Sequence, residues 1–128
     1  MANMIVGKLG WVTIFSAELV NAAASVESDP IKIEYQGGAI SILIQATSAG
    51  GTPSLQVQVE ECDSENGSYV VPEDIPEIFP STDPLADENR HIKSVSVDPA
   101  DWMKIKITGT AAVNPADTLV TAKLFFGG

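Results

Sequence analysis

The stretch Leu55-Gln56-Val57-Gln58-Val59-Glu60 alternates apolar and polar side chains without interruption. Successive side chains of a β-strand point to opposite faces, so this pattern predicts a strand with one buried and one solvated face. The stretch Ile31-Lys32-Ile33-Glu34-Tyr35 repeats the alternation nearer the amino terminus. Together the two stretches indicate a protein built from strands.

Strand patterns continue along most of the chain. Residues 103–107 and 120–126 each place their apolar side chains on one face. Residues 39–46 are apolar on both faces, which is typical of a central strand. Residues 11–20 and 91–97 carry weaker patterns. In the latter, the apolar phase slips between Ile92 and Val95, which predicts a β-bulge.

Turn sequences and length complete the prediction of the fold. Asn66-Gly67 is a hairpin-turn signal, and no window of a dozen residues has the apolar period of a packed helix. The chain has 128 residues, so we expect residues 1–128 to form one domain. Roughly seven or eight strands in one domain close a core only as a sandwich or barrel. The sequence therefore predicts an all-β, antiparallel β-sandwich of jelly-roll or immunoglobulin-like topology.

One long segment interrupts the alternation, and we predict that residues 62–90 form an extended acidic, proline-rich loop or arm. Residues 60–88 hold ten of the seventeen acidic residues and no Lys or Arg. The prolines in this segment recur every fourth residue, which forbids a helix and favours extended or turn-rich backbone. They are Pro72, Pro76, Pro80 and Pro84.

Apolar side chains lie between these prolines, and a fully solvated loop has little reason to carry them. Three interpretations stay open. The segment folds back onto its own sandwich, it is an arm that docks on a neighbouring subunit, or it is a disordered loop. In the second case, the subunit interface contains Pro72, Ile75, Pro76, Ile78, Phe79 and Pro80.

Charge and hydropathy limit the partners. The net charge of -10 repels phosphate backbones and anionic lipid surfaces, so we expect neither nucleic acid nor membrane as a partner. No run approaches the roughly 18 apolar residues of a membrane-spanning helix.

Signals for catalysis and metal binding are weak. His91 is the only histidine, and no nucleophile motif accompanies it. Neighbouring carboxylates such as Glu60 and Glu61 would point to opposite faces of a strand, which is a poor arrangement for glycoside hydrolysis. The stretch Asp63-Ser64-Glu65-Asn66-Gly67 has its glycine one position too early for a calcium loop. We predict no catalytic residue, no metal and no cofactor, and hence a protein that is not an enzyme.

Three stretches of the sequence resemble small β-sandwich virion proteins of tailed bacteriophages. They are Ser54-Leu55-Gln56-Val57-Gln58-Val59-Glu60-Glu61, Asp63-Ser64-Glu65-Asn66-Gly67-Ser68-Tyr69 and Trp102-Met103-Lys104-Ile105-Lys106-Ile107-Thr108-Gly109-Thr110. In that pattern an amphipathic strand leads into a turn, and a later strand beginning with Trp precedes a final hairpin. Cys62 and the Asn66-Gly67 turn depart from the pattern, and the proline-spaced segment has no counterpart in it.

The resemblance implies a non-enzymatic structural role, that of a capsid decoration (cement) protein on the outer surface of the head. It also implies a homo-oligomer, expected to be a trimer, that binds the major capsid protein or other virion proteins and is soluble in the host cytoplasm before assembly. The alternatives are a component of the tail or adsorption apparatus and a carbohydrate-binding β-sandwich module. The last alternative requires Trp11 and Trp102 to be exposed on one face.

Overall fold

The computed structural model describes residues 4–6, 11–33, 39–48, 50–73, 77–96, 102–110 and 118–127. These residues form nine strands and no helix, and hence no helix that could span a membrane. The all-β prediction is confirmed. The strands are β1 (Met4–Val6), β2 (Val12–Val20), β3 (Ser25–Glu27), β4 (Ile31–Ile33), β5 (Ala39–Thr47), β6 (Leu55–Cys62), β7 (His91–Ser96), β8 (Trp102–Gly109) and β9 (Thr118–Gly127).

The strands form two sheets. In the first sheet, β8 pairs with β6 on one side and with β3 and β4 on the other, and β1 adds to β4. The second sheet has the order β2-β9-β5-β7. Every pair is antiparallel except the short pair of β1 and β4, which is parallel.

One hydrophobic core lies between the sheets. The alternation in β6 and β8 places the odd-numbered apolar side chains inward, and the even-numbered ones form the outer face of the first sheet. In the second sheet, β5 and β9 bury the even-numbered side chains in the same way. The predicted sandwich is therefore present. Fully buried members of the core include Ile31, Ile40, Ile42, Ile44, Leu55, Met103, Ile105, Ile107 and Leu124.

The order of the strands follows the jelly-roll alternative of the prediction. From β4 to β9, each strand lies in the sheet opposite to the strand before it. An immunoglobulin-like sandwich instead keeps some consecutive strands in one sheet. The pairing β2-β9-β5-β7 facing β4-β8-β6 is the double Greek key of a jelly roll.

The segment between β6 and β7 takes the place of a further strand beside β6. Its residues pair antiparallel with the free side of β6 through three isolated bridges, at Leu85, Phe79 and Val70. Each bridge includes backbone hydrogen bonds of 2.8–3.1 Å to β6. Proline has no N–H to donate, so a proline at every fourth position reduces this strand to separate bridges. The described part of the segment thus follows the edge of β6 rather than projecting as an arm.

One local prediction is wrong. β7 pairs with β5 in an unbroken register from His91 to Ser96, so the predicted bulge between Ile92 and Val95 does not exist. The apolar phase slips because Ile92 points outward and is 64% exposed. The irregularities lie instead in β2, where the register against β9 shifts on both sides of Phe15.

Candidate functional site

The predicted interface residues lie in the segment beside β6. Ile78 and Phe79 are 1% and 5% exposed within the single chain. Pro72 and Pro80 are half-buried. Ile75 and Pro76, the other two residues of the predicted interface, lie outside the described residues.

The burial of Ile78 and Phe79 within the chain favours the interpretation in which the segment folds back onto its own sandwich, while their contact with a neighbouring subunit stays a prediction. The backbone N–H groups of both residues donate to the Val57 carbonyl, at 3.0 and 3.1 Å, so the segment is held to its own sheet. Phe79 also contacts the second sheet, because its ring meets the His91 ring edge-on at 5.5 Å and the Lys93 ammonium at 4.2 Å. The side chains therefore close the side of the sandwich between β6 and β7 and offer little surface to a partner.

Acidic residues of the same segment bind their own chain. Glu77 accepts hydrogen bonds from the side-chain amides of Gln56 and Gln58, at 3.1 and 2.8 Å. Glu88 accepts one from the backbone N–H of Ser48 at 2.6 Å. The negative charge of the segment thus serves in part to fasten it to both sheets.

Sequence reasoning missed a cluster of charged residues on the outer face of the first sheet. Glu60 on β6 is the cross-strand neighbour of Lys104 on β8, and Glu27 on β3 is that of Lys106. Glu27 and Lys104 form an ion pair of 3.6 Å. The Tyr69 ring packs over the Lys104 ammonium at 4.5 Å, and its hydroxyl donates to the Glu65 carbonyl.

The two carboxyl groups of this cluster have opposite pKa shifts. Burial, together with the hydrogen bond that protonated Glu60 donates to Glu27 and the repulsion by Glu27, raises the pKa of Glu60 to about 7. The hydrogen bond from Glu60, assisted by Lys104 and Lys106, lowers the pKa of Glu27. At mildly acidic pH the pair therefore shares one proton, as two close carboxyl groups generally do. Glu61, one residue further along, faces the interior, as the alternation of β6 requires.

His91 has a carboxylate partner in Asp87. Their atoms Nε2 and Oδ1 are 2.8 Å apart, and this contact lowers the pKa of Asp87. A histidine–carboxylate pair is one element of acid–base catalysis. The sequence did not reveal this pair because Asp87 lies in the loop before β7, whereas His91 is the first residue of the strand. Phe79 packs against the imidazole, and no hydroxyl or thiol among the described residues is hydrogen-bonded to it. The geometry of the His91–Asp87 pair is that of a structural clamp at the start of β7.

The two tryptophans lie on different sheets. Trp102 is half-buried on the outer face of the first sheet, with the Lys32 ammonium 5.1 Å from its ring centre. Trp11 precedes β2, is 42% exposed and tilts against Phe125 of the second sheet at 5.7 Å. A sugar platform built from both tryptophans is therefore not formed.

Exposed apolar side chains concentrate on the outer face of the second sheet. Leu19 and Leu119 are cross-strand neighbours, and both are about two-fifths exposed. Ile92, the neighbour of Leu43, is more exposed than either, and Trp11 lies at the other end of the sheet from Leu19. The outer face of the first sheet carries mainly charged and amide side chains instead. The outer face of the second sheet therefore exposes more large apolar side chains than that of the first.

A hollow of about 330 Å³ opens in the middle of this apolar face. Leu43 and Lys123 are cross-strand neighbours in its floor, as are Gln45 and Thr121, and Arg90 lies beside them just before β7. Ile44 completes the lining. The hollow thus combines two cations with polar and apolar walls.

The described ranges contain no metal site. No group of three or more His, Cys, Asp and Glu side chains converges there. The turn at Asp63 to Gly67 closes on itself through a hydrogen bond from the Gly67 N–H to the Ser64 carbonyl. A Cβ at Gly67 would lie 2.5 Å from Cys62 Sγ and Ser64 Oγ, so glycine allows a tight turn there.

The chain matches no protein-family model, and neither the curated proteins nor the solved structures contain a significant match to it.

Proposed function

We propose that this chain is a non-enzymatic structural protein of a bacteriophage virion, a decoration protein bound to the outer surface of the head. The observation that carries the proposal is the difference between the two outer faces of the sandwich. One face exposes Ile92, Leu19 and Leu119, and the other is covered by paired charges and amides. A protein that lies with one face on a partner and the other in water has this distribution.

Fold and charge support the same role. Jelly-roll sandwiches recur in viral capsid proteins and in lectins, which is an argument by analogy of fold. The net charge of -10 suits a position facing solvent, because packaged nucleic acid would repel the chain. The resemblance to tailed-phage virion proteins supports a phage particle as the partner.

The contact with the particle is assigned to the outer face of the second sheet instead of the acidic segment. Ile78 and Phe79 already stabilise the chain's own core, so they have little area left to bury. Burying Ile92, Leu19 and Leu119 would contribute on the order of 1 kcal/mol or more for each side chain, since each is already partly covered.

Electron microscopy of particles lacking the protein, before and after adding it back, tests the proposal. We expect added density at regular positions on the head for the wild-type chain. The variant Ile92→Glu should lose this density, because it places a charge in the contact face. The matched control Val70→Glu changes an equally exposed side chain in the acidic segment and should bind normally.

Density on the tail instead of the head would assign the chain to the tail or adsorption apparatus. Absence of density at either place, or normal binding by Ile92→Glu, would contradict the proposal. A carbohydrate-binding module remains the second candidate because the exposed Trp11 pairs with the half-buried Phe125 on one face. In that case, Trp11→Ala would abolish binding to glycans. Neither the wild-type chain nor Ile92→Glu would then decorate the particles.

A further inference from the structure

The described Lys and Arg side chains of this acidic protein differ in whether they have interaction partners within the chain. Four of the six described cations interact with neighbouring groups of the first sheet or of the acidic segment. Lys104 pairs with Glu27, Lys32 lies over Trp102, Lys93 lies over Phe79, and Lys106 acts on the Glu27–Glu60 pair.

Arg90 and Lys123 differ from these four. Neither forms an ion pair or a side-chain hydrogen bond with another described residue, and both line the hollow in the second sheet. Among the described residues, no acidic side chain contributes to this lining. In a chain of net charge -10, two unpaired cations beside one hollow form a local site for a negative charge.

The other walls of the hollow add directional groups. Thr121 Oγ1 accepts a hydrogen bond from the Ala17 N–H at 3.1 Å, which leaves the hydroxyl proton free to be donated. The Gln45 amide nitrogen donates to the Glu88 carbonyl at 3.0 Å. This bond fixes the side chain and leaves its oxygen as an acceptor.

Size and apolar surface favour an organic ligand over a bare ion. The volume of about 330 Å³ is at the lower end of the roughly 300–1,000 Å³ that is typical of small-molecule sites. Leu43 adds an apolar side chain to the lining, and a carbon skeleton can pack against it.

We propose that this hollow binds a small hydroxylated organic acid of the sugar-acid class. Arg90 and Lys123 hold the carboxylate, because charge-assisted hydrogen bonds from guanidinium and ammonium groups are the strongest available. Thr121 donates to the same group, Gln45 accepts from a ligand hydroxyl, and Leu43 contacts the carbon skeleton. This inference does not rest on the proposed role in the virion, but the hollow lies in the face that is proposed to contact the particle, so ligand and particle would compete for that face.

Titration of the ¹⁵N-labelled protein with galacturonate, followed by NMR, tests the assignment. We expect saturable shifts at Leu43, Gln45 and Thr121 and none with galactose, which lacks the carboxylate. Arg90→Gln and Lys123→Gln should each weaken binding about tenfold or more. Lys32→Gln removes the same charge from the other sheet and should bind as the wild type does.

Other results of the titration would overturn the proposal. Equal affinity for galactose, or unchanged affinity in both hollow variants, would overturn the anion site. Inorganic phosphate that binds as tightly as galacturonate would overturn the assignment to a hydroxylated acid. Arg90 and Lys123 are both exposed, so neither substitution threatens folding, and spectra outside the hollow provide the check.

Discussion

Phe79 connects the acidic segment to both sheets of the sandwich. Its backbone pairs with Val57 of β6, while its ring packs against His91 and Lys93 of β7. An aromatic ring that is 95% buried between two sheet edges contributes through its removed surface and through its ring contacts. The segment is thereby part of the core.

Replacing Phe79 by alanine should destabilise the protein by about 3–5 kcal/mol, because it removes a buried ring and leaves a cavity. Urea unfolding followed by tryptophan fluorescence measures the change. Val70→Ala is the control, since its side chain in the same segment is exposed, and it should stay within about 0.5 kcal/mol of the wild type. A small effect of Phe79→Ala would mean that the segment is not packed as described.

Glu60 makes stability depend on pH near neutrality. Its pKa is raised from the ordinary 4.5 to about 7 by burial and by Glu27. Between these values the folded state holds a proton that the unfolded chain has released, so stability should fall as pH rises through this window. The full loss, about 1–3 kcal/mol, is reached above the raised pKa. The lowered pKa of Glu27 acts in the opposite sense and costs stability only at more acidic pH.

Urea midpoints measured from pH 4.5 to pH 8.5 check this dependence. Glu60→Gln should remove the decline, because the amide cannot lose a proton. The groups that face Glu60 are Glu27, Lys104 and Lys106, and they are unchanged in this variant. Glu73→Gln alters an exposed carboxyl group in the acidic segment and should retain the decline. A flat profile in the wild type would contradict the assignment.

At the scale of elements, β2 is a free edge of the second sheet that is interrupted by bulges. Its register shifts around Phe15, and Ala17 has a φ of 51°. Bulged edges resist pairing with other chains, so the irregularity protects this edge from aggregation. The Ala17 N–H is satisfied by Thr121 Oγ1 instead of a backbone carbonyl.

Ala17→Gly should stabilise the protein by about 0.5–1 kcal/mol, because glycine adopts a positive φ without the Cβ clash that alanine suffers. Ala22→Gly is the matched control at a position without a positive φ, where the added backbone freedom should destabilise by a similar amount. Thermal unfolding of the two variants should therefore shift in opposite directions. Equal shifts would show that the bulge is not strained.

The strands were predictable because alternation is a local property of the chain. Residues 55–60 and 103–107 show their buried faces in the order of their side chains alone. No glycine in the sequence marks the bulge at Ala17. Ile92 led to a wrong prediction of a bulge because its apolar side chain faces solvent. Such exceptions depend on the partner strand, which the local pattern does not contain.

The sites were less predictable because they depend on register between distant strands. Glu27 meets Glu60 only because β3 and β6 flank β8 at matching positions. The hollow likewise requires Lys123 to lie opposite Leu43. The described part of the acidic segment contains no helix, as the spacing of its prolines predicted. Composition alone left open whether its apolar residues would be covered by their own chain or by another.

At the scale of the whole molecule, the residues that stabilise the fold are separated in space from the face that we propose for association. The acidic segment closes the sandwich between β6 and β7, and the outer face of the second sheet carries the exposed apolar side chains. Deletion of residues 72–84 removes Ile78 and Phe79 from the core, so it should abolish cooperative unfolding. A change of molar mass in that variant would report unfolding and not the loss of an interface.

Substitutions on the outer face of the second sheet should therefore dissociate the expected homo-oligomer. We expect the double substitution Ile92→Glu with Leu119→Glu to lower the molar mass measured by light scattering to that of one chain, because burying two added charges opposes association. Both side chains are exposed, so the urea midpoint should change little. The control Val70→Glu with Val71→Glu adds the same charges to the acidic segment and should leave the molar mass unchanged. A wild-type chain that is already monomeric, or an oligomer that survives the double substitution, would contradict this assignment of the interface.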